Sequence, residues 1–453
     1  MFSDKDTKKG LRISIREGVF ATVHGTVTTG AFLTGFVLMV GANDFQVALI
    51  MSIPLLAQIM NIFSVHAIER FGRRKWISGI LSVTGRSLWA LLAFIPLAQS
   101  LKADAIVLII IIIGVISALL SFSSTPWLSW MADLVPAPIR GRYFGKRNMI
   151  LGIVTMSASI GAGKILDYYK LMNSLETGYF IVLMIAVVCG IIAFIFLTMQ
   201  PEPPYQRMPS YNFMSYVLQP FYVRRFRRLL YFYLFFIFAM GISSSYFPVY
   251  LLKTLKWSFS NLALLSIGSA IMTLLTQPLW GRVIDRVGHK PVITITVLGI
   301  LPLPVIYLIA TPQFSWFIWL DMFFTGIFWA GFNLVIFNMV IYSLPQQGRP
   351  AFLAVQAALI GVTNFVAMIL GGFLAQQLSN FSIHVLGHSF INYHVLFLLT
   401  LILRILSIPL INRLEEPEAR TVGVIIRQFF LSINRHVNLG HAFWFLNGNN
   451  RKS

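Results

Sequence analysis

Long apolar runs recur through this chain, and they constrain its fold more than any other feature. Twelve of these runs have the length of about 20 residues that a helix needs to cross a membrane. Hydrophobic residues make up 57% of the 453 residues and charged residues only 11%, whereas a soluble domain has about 25% charged residues. Because lipid offers no hydrogen-bond partner to the backbone, such runs cross it as helices. We therefore expect an all-α membrane protein.

We number the expected spans 1 to 12 in chain order. They cover residues 15–40, 45–67, 76–98, 104–131, 148–168, 178–200, 229–252, 260–281, 291–311, 315–343, 351–378 and 391–411. The longest connection opens with Pro201-Glu202-Pro203-Pro204 at the centre of the chain, where proline ends the sixth helix. This organisation predicts a six-helix bundle over 1–200, a linker over 201–228, a second six-helix bundle over 229–412 and a tail over 413–453.

The basic residues orient these spans. An even number of spans places both termini on one face, together with the loops that follow even-numbered spans. That face then carries 28 of the 35 lysines and arginines, and the other face carries five. The positive-inside rule therefore predicts that the termini and the linker are cytoplasmic. Bases beside anionic lipid headgroups also explain the net charge of +20 without nucleic acid as a partner.

The tail carries apolar residues at helical spacing. They recur every three or four positions, at Val422, Ile425, Ile426, Phe429, Phe430 and Ile433. This pattern predicts an amphipathic helix that lies along the cytoplasmic membrane surface.

A nine-residue pattern occurs twice, each time after an apolar run. The first copy is Ala67-Ile68-Glu69-Arg70-Phe71-Gly72-Arg73-Arg74-Lys75, and the second is Val283-Ile284-Asp285-Arg286-Val287-Gly288-His289-Lys290-Pro291. The glycine in each copy permits a tight turn between antiparallel helices. The copies lie 216 residues apart, which indicates two related halves, and duplicated halves are typical of secondary transporters.

These two loops resemble the loop signature of the major facilitator superfamily, and the resemblance covers nearly the whole chain. The second copy has the family's leading glycine, Gly281, and its aspartate, Asp285. In the first copy Val65 and Glu69 stand at these positions. The resemblance implies the fold of that family (MFS fold), with twelve helices in two pseudo-symmetric bundles and a cavity lined by spans 1, 4, 7 and 10.

The resemblance also implies a cytoplasmic gate, because the loop acids of that family help to hold the cytoplasmic side closed. The loop after span 4 resembles the family's loop at that place, with an acid before an Arg-Gly turn. Carried over, the gate residues are Glu69, Arg73, Asp133, Arg140, Asp285, Arg286 and Lys290. Alternatively, these residues only set the topology through their charge. Asp133 and Arg140 form either a pair that breaks on opening or a fixed structural pair.

Ionisable side chains inside lipid are expensive and mark candidate functional sites. Asp321 in span 10 either carries a coupling proton or pairs with a cationic substrate, or else it lies at the outer interface. Arg86 in span 3 either binds an anionic group of the substrate or forms a structural pair. Arg404 in span 12 lies about two turns from the cytoplasmic end, and we expect it to snorkel to that interface.

Polar and aromatic residues on the cavity-lining spans give further candidates for the substrate site. His24 and Thr28 share one face of span 1, and His24 is either a substrate or proton group or a packed core histidine. The other spans contribute Trp127, Tyr246, Trp329 and Asn333. Glycine and proline nearby predict bent helices. Ordinary helix packing is the alternative explanation for these residues.

We expect a secondary active transporter that moves a small organic solute by alternating access. A proton-coupled exporter of drugs or metabolites is the alternative, although span 5 lacks the proline of the drug–proton antiporter signature. A membrane-embedded receptor or enzyme is the alternative of a different class. The sequence has no phosphate-binding glycine loop, metal pair or nucleophile elbow, so we expect no enzyme activity, metal or cofactor.

Coupling to protons rests on Asp321, His24 and Glu17, and uniport or sodium coupling stays open. The expected partners are the small-molecule substrate, membrane lipids and, with proton coupling, protons. We expect a monomer. The short loops favour a bacterial inner membrane. The identity of the substrate and the direction of transport stay open.

Overall fold

A computed structural model describes residues 4–97, 104–205, 218, 221–343, 349–385 and 388–414. Within these ranges, eleven helical stretches are long and apolar enough to cross a membrane, and a bent pair of helices at the start makes twelve. The expected all-α membrane fold is therefore confirmed. The predicted tail helix lies outside the described residues, and so does half of the linker.

The twelve spans occur in the expected order. Their bounds are Thr7–Val27 with Gly30–Met39, Asp44–Phe71, Arg74–Leu97, Ala105–Leu134, Arg140–Leu171, Leu175–Thr198, Arg224–Thr254, Phe259–Val287, His289–Ile309, Trp316–Val340, Val355–Gln377 and Asn392–Asn412. The first helix itself begins at Asp4, and the helix of span 11 begins at Arg349. Spans 1 and 5 begin eight residues earlier than expected, and this difference matters for the site below.

Span 1 bends by 42° between its two helices. The hydroxyls of Thr28 and Thr29 donate hydrogen bonds to the carbonyl oxygens of His24 (2.7 Å) and Gly25 (2.8 Å), one turn earlier. Threonine bonding of this kind competes with the backbone ladder and bends helices. The threonine stripe of span 1 therefore explains the bend at this point.

Span 7 also changes geometry along its length. Its α-helix Arg224–Ser244 is followed by the short helix Tyr246–Val249 and by a π-helical turn over Tyr250–Thr254. Pro248 lies in the short helix and has no N–H to donate to the preceding turn. The break agrees with the bend that proline predicts for this span.

Helix packing repeats between the two halves of the chain. In the first half, span 1 packs on spans 5 and 6, and span 4 packs on spans 2 and 3. In the second half, span 7 packs on spans 11 and 12, and span 10 packs on spans 8 and 9. Adding six to both span numbers of a contact in the first half gives the corresponding contact in the second half. The halves meet where span 2 packs on span 11 and span 5 packs on span 8.

We name the two membrane faces from what they carry. The terminal face carries the start of span 1 and the two repeated loops, which turn at Gly72 (φ +66°) and Gly288 (φ +88°). Residues other than glycine rarely adopt such backbone angles, so the predicted tight turns at these two glycines are confirmed. The opposite face carries the turn between spans 1 and 2. It also carries an antiparallel hairpin, Ser382–Val385 with His388–Ile391, which the sequence analysis does not predict.

Candidate functional site

A cavity of about 430 Å³ lies within the first half, lined by spans 1, 3, 4, 5 and 6, whereas the resemblance implied a cavity lined by spans 1, 4, 7 and 10. Concave sites with a few converging polar groups are the usual places where small molecules bind. The polar and aromatic side chains that line this one are Glu17, Thr22, His24, Ser78, Ser82, Arg86, Ser123, Ser124, Trp127 and Arg147. We call it the arginine cavity.

Glu17 lies between two arginines in this cavity. Its Oε1 is 3.9 Å from Nη2 of Arg86, and its Oε2 is 3.6 Å from Nη2 of Arg147. Glu17 is 3% exposed and Arg147 is 9% exposed. A guanidinium keeps its proton in proteins. Two cations therefore share one carboxylate in a region where an unbalanced charge is expensive.

Trp127 and Gly18 position Arg147. The guanidinium carbon of Arg147 lies 4.9 Å from the centre of the Trp127 ring, within the range of a cation–π contact. A Cβ atom on Gly18 would lie 2.7 Å from Nη2 of Arg147. The glycine that follows Glu17 therefore lets the arginine of span 5 approach the backbone of span 1.

His24 lies two helical turns beyond Glu17 on the same face of span 1. Its Nδ1 is 3.0 Å from the carbonyl oxygen of Ala186. A neutral ring that donates from Nδ1 presents Nε2 as an acceptor. Trp89 contacts the ring edge-on, with 6.3 Å between ring centres. These contacts fix the ring so that Nε2 is the atom left for another partner.

Four buried nitrogen atoms on the lining have no hydrogen-bond partner among the described residues. They are Nη1 of Arg86, Nε of Arg147, Nε1 of Trp127 and Nε2 of His24. About nine in ten buried polar groups in proteins have such a partner. All four belong to residues that line the arginine cavity, which makes it a strong candidate for a binding site.

A second cavity, of about 270 Å³, adjoins the first. Leu120 and Ser124 line both cavities. The second cavity also contacts Thr28, Gln58 and Trp89, which lie nearer the opposite face along their spans. The two cavities therefore follow one another along the membrane normal inside the first half.

The structure brings several predicted substrate residues together and separates others. His24, Arg86 and Trp127 line the arginine cavity, and Thr28 lines the second cavity. Tyr246 is buried at the opposite face and lines neither cavity.

The remaining three predicted residues lie in the second half. Asp321 accepts hydrogen bonds from the hydroxyls of Tyr307 (3.2 Å) and Thr325 (3.0 Å). Asp321 is therefore engaged between spans 9 and 10, away from both cavities. Trp329 packs on Phe332, with 5.4 Å between ring centres, and Asn333 is exposed.

Arg404 does not snorkel, so that expectation is wrong. Its side chain is 1% exposed, and its Nη1 donates a hydrogen bond to the carbonyl oxygen of Ile300 at 2.8 Å. In a regular helix this oxygen would accept from the residue four positions later. That residue is Pro304, which has no N–H. Arg404 supplies the donor that the proline cannot.

The sequence does not predict a role for Arg147 and suggests only proton coupling for Glu17. The expected bounds of spans 1 and 5 place both residues at the membrane edge, whereas the helices of these spans extend further. One signal was available. Glu17, His24 and Thr28 are spaced by seven and four residues, which places them on one helical face.

The first repeated loop is anchored within its own half. Arg74 is fully buried, pairs with the carboxylate of Asp133 at 2.5 Å and donates a hydrogen bond to the carbonyl oxygen of Pro203 at 3.1 Å. Arg140 instead donates to the carbonyl oxygen of Ala132 at 2.7 Å. Asp133 therefore pairs with Arg74, and the Asp133–Arg140 pair considered from the sequence is not the one formed.

The acid of the first loop holds the start of the linker. The Tyr205 hydroxyl donates a hydrogen bond to Glu69 at 2.5 Å, and the Arg74 guanidinium lies 4.8 Å from the centre of the Tyr205 ring. Burial, followed by the hydrogen bond to Glu69, raises the pKa of Tyr205 to about 12. Arg73, which the sequence suggested as the partner of Glu69, is exposed.

The second repeated loop makes the corresponding contact in its half. Lys290 Nζ donates hydrogen bonds to the carbonyl oxygens of Asn412 (3.0 Å) and Leu414 (3.3 Å). These atoms lie at the end of span 12, just as Pro203 follows span 6. A cation is favoured at a helix C-terminus. Asp285 and Arg286 of this loop are exposed.

At the opposite face, Asp44 joins the two halves. Its carboxylate accepts hydrogen bonds from the Tyr393 hydroxyl (2.8 Å) and from Nδ2 of Asn392 (3.0 Å). Lys253 Nζ lies 3.5 Å from the same carboxylate. The Tyr246 hydroxyl donates to the backbone oxygen of Asp44 at 3.0 Å. Asp44 begins span 2, and its four partners lie on spans 7 and 12.

A second polar link between the halves lies at the same face. The carboxylate of Asp167, near the end of span 5, accepts hydrogen bonds from the backbone N–H groups of Phe259 (2.8 Å) and Ser260 (3.0 Å). These are among the first N–H groups of span 8, which lack partners within the helix. The acid therefore caps a helix of the other half.

Comparison with known proteins agrees with this architecture. The sequence matches the family model described as Major Facilitator Superfamily over residues 19–274 and 229–446. No curated protein matches the sequence. Solved structures with a similar fold include the nucleoside transporter NupG, which is 15% identical with a TM-score of 0.63 over 89% of this chain and 98% of that chain.

Two other solved structures are similar to the same degree. The D-xylose–proton symporter is 16% identical, with a TM-score of 0.64 over 90% of this chain and 97% of that chain. A bacterial homologue of the iron transporter ferroportin, in an inward-facing state, is 12% identical, with a TM-score of 0.65 over 90% and 98%. At these identities the likeness is one of fold. Together with the family match over most of the sequence, it shows that the chain belongs to the Major Facilitator Superfamily, a family of membrane transporters.

Proposed function

We propose that the protein is a secondary active transporter that moves a small organic solute across a membrane by alternating access. One observation carries this proposal. Asp44 and Asp167 link the two halves at the opposite face, whereas the arginine cavity extends toward the terminal face, where Ser78 and Leu197 line it near the ends of their spans. Two halves that are tied together at one face, with a polar cavity that reaches toward the other face, fit one state of alternating access.

Orientation and location belong to the same proposal. The excess of basic residues on the terminal face supports a cytoplasmic position for that face, which makes this conformation inward-facing. The short loops support a bacterial inner membrane, and we propose a monomer. The six-span shift in helix packing supports two bundles over 1–200 and 229–412, with the linker over 201–228 and the tail over 413–453.

The repeated loops supply the gate of this proposal. In the present conformation Arg74 binds Pro203 at the start of the linker, and Lys290 binds the end of span 12. We propose that Glu69, Asp133 and Asp285 hold the cytoplasmic side together when the opposite face opens. Coupling to protons through Glu17, His24 or Asp321 remains part of the proposal, since each is an ionisable group within a span.

Labelling of one cysteine in the cavity tests alternating access without knowledge of the substrate. Ser123→Cys in a Cys189→Ser background places the thiol in the arginine cavity. The protein is reconstituted in liposomes and exposed to a membrane-impermeant thiol reagent from either face. We expect reaction from both faces, because the cavity opens to each in turn.

A cross-link then locks the opposite face. Asp44→Cys and Asn392→Cys are joined with a short bifunctional thiol reagent before Ser123→Cys is labelled. We expect the lock to abolish labelling from the opposite face and to preserve it from the terminal face. The Asp44→Cys variant alone, treated in the same way, is the control. Labelling from the terminal face only, with and without the lock, would overturn the proposal.

A further inference from the structure

We propose that the arginine cavity binds its solute through a carboxylate, which lies beside Glu17 and contacts Arg86 and Arg147. This inference rests on the proposed transport function and names the chemical class of the solute. It follows from the net charge of the cavity lining, from the arginine N–H groups that lack a hydrogen-bond partner among the described residues, and from the Glu17 carboxylate that already lies between the two arginines.

The charge of the site is the first argument. The lining holds the guanidinium groups of Arg86 and Arg147 and one carboxylate, that of Glu17. One positive charge is therefore left over within a membrane span, where a charge is expensive without a partner. One carboxylate on the solute balances it, whereas an amine adds to the excess.

The second argument is the geometry of the arginines. The Glu17 oxygens lie 3.9 and 3.6 Å from the nearest guanidinium nitrogens, whereas a charge-assisted hydrogen bond between such groups measures about 2.7–2.9 Å. Nη1 of Arg86 and Nε of Arg147 have no hydrogen-bond partner among the described residues. Glu17 therefore leaves donors on both guanidinium groups for a second acceptor.

The charge and the shape of the site also select the kind of anion. The Glu17 side chain already holds a carboxylate at ion-pair distance from both arginines, so the site accommodates this group. A phosphate monoester carries about −1.5 to −2 charges at neutral pH and would exceed the single charge to be balanced. We therefore assign a monocarboxylate to the site.

The other residues that line the cavity indicate which groups the solute carries besides its carboxylate. Trp127 provides an aromatic wall, and its Nε1 is a further donor without a partner among the described residues. Nε2 of His24 is an acceptor two turns away along span 1, so it suits a hydroxyl or N–H group on the solute. A cavity of about 430 Å³ accommodates a small organic acid.

Matched pairs of probes test the proposal. 4-Hydroxybenzoate and lactate are the acids, and 4-hydroxybenzamide and lactamide are their neutral counterparts of nearly the same shape. The full-length protein is purified in detergent, and its thermal unfolding is measured with each probe at millimolar concentration. A ligand that binds only the folded state raises Tm. We expect at least one acid to raise Tm and its amide to leave Tm unchanged.

Variants that change the charge of the site give the sharper test. We expect Arg86→Gln and Arg147→Gln to weaken binding of the acid about tenfold or more, which corresponds to about 1.4 kcal/mol. Glu17→Gln should tighten it, because the excess positive charge grows. The double variant Glu17→Gln with Arg147→Gln restores the original charge, so it should bind more tightly than Arg147→Gln alone.

Lys164→Gln is the matched control. It removes one positive charge from the same helix as Arg147, but Lys164 is exposed and lies outside the cavity. It should leave binding of the acid unchanged. Equal stabilisation by acid and amide, or by inorganic phosphate and acid, would overturn the inference. So would weaker binding in Glu17→Gln, or no stabilisation by either acid in wild type and Glu17→Gln.

Uptake into proteoliposomes separates this inference from the transport proposal. Binding of 4-hydroxybenzoate that needs Arg147, without any uptake, would support the carboxylate site and count against transport. Uptake of 4-hydroxybenzamide that is unaffected by Arg147→Gln would support transport and overturn the carboxylate site. Uptake of the acid that is lost in Arg147→Gln and kept in Lys164→Gln would support both.

Discussion

The acid that links the halves at the opposite face offers the most direct test of the proposed cycle. Replacing Asp44 with alanine removes the acceptor for Tyr393 and Asn392. Both bonds join different halves, so they exist only while this face is closed. When the face opens, water can reach Asp44. The substitution therefore destabilises the closed state more than the open state.

The magnitude follows from the two hydrogen bonds. Each has a charged acceptor, and such a bond contributes about 1.5–3 kcal/mol. The Lys253 side chain is 58% exposed, so its ion pair adds little. At the lower limit the two bonds sum to about 3 kcal/mol, which shifts the equilibrium toward the open state by about a hundredfold. Asp44→Asn keeps an acceptor and should have a smaller effect.

Labelling of Ser123→Cys from the opposite face measures this shift. The rate of labelling is proportional to the open population as long as that population is small, so we expect it to rise steeply with Asp44→Ala. Asp104→Ala is the control, because Asp104 is an exposed aspartate on the same face whose side chain does not cap its helix. A rise of less than about fivefold would refute the reasoning, because it contradicts the expected hundredfold shift. An equal rise in the control would also refute it, because the effect would then not come from the hydrogen bonds of Asp44.

Three further predictions concern the anchors of the fold, and thermal unfolding in detergent measures each of them. Arg404→Met should destabilise the protein by about 1–3 kcal/mol, because a buried carbonyl oxygen loses its donor. Asp133→Asn should cost about 1 kcal/mol, since the Asp133 side chain in its pair with Arg74 is 50% exposed. The raised pKa of Tyr205 favours the neutral phenol in the folded state, so its contribution to stability is present below pH 10 and is lost as the pH rises toward 12. Tyr205→Phe should remove that alkaline dependence.

Each of these predictions has a control and a contradicting result. Arg404→Lys retains a donor and should lose less stability than Arg404→Met, so equal losses would contradict the role of the hydrogen bond. Lys164→Gln, an exposed charge change, should leave Tm unchanged when Asp133→Asn lowers it. An alkaline unfolding profile that is identical in wild type and Tyr205→Phe would contradict the contribution of Tyr205.

Two of the three charged residues of the site, Glu17 and Arg86, were candidates from the sequence. Arg86 was a candidate because an arginine deep in an apolar run is conspicuous. Arg147 was missed because three neighbouring bases made its segment look like a loop, although the helix continues through it from Arg140. Helix ends are poorly determined by hydropathy, since the last turns of a span contact headgroups and water and tolerate charge.

The links between the two halves at Asp44 and Asp167 could not be predicted from the sequence. Asp44 and Tyr393 are 349 positions apart, and nothing in the spacing of either residue indicates the other. Tyr246 was a substrate candidate because it is an aromatic hydroxyl residue on a span that the resemblance places at the cavity, but the structure places it in the link at Asp44. Its position depends on how the two halves lie against each other.

The amino-acid sequence by itself determined the membrane class, the twelve spans, the repeat and the family. Lipid requires long apolar helices, and a duplicated loop can be recognised from the order of residues alone. Only the tertiary structure decided that Glu17 faces both Arg86 and Arg147, that Arg404 serves the carbonyl oxygen left free by Pro304, and that Asp44 links the halves. The physical reason is that hydropathy is a property of each segment alone. Charge balance and hydrogen bonding are properties of pairs, and the packing of helices distant in sequence determines which pairs form.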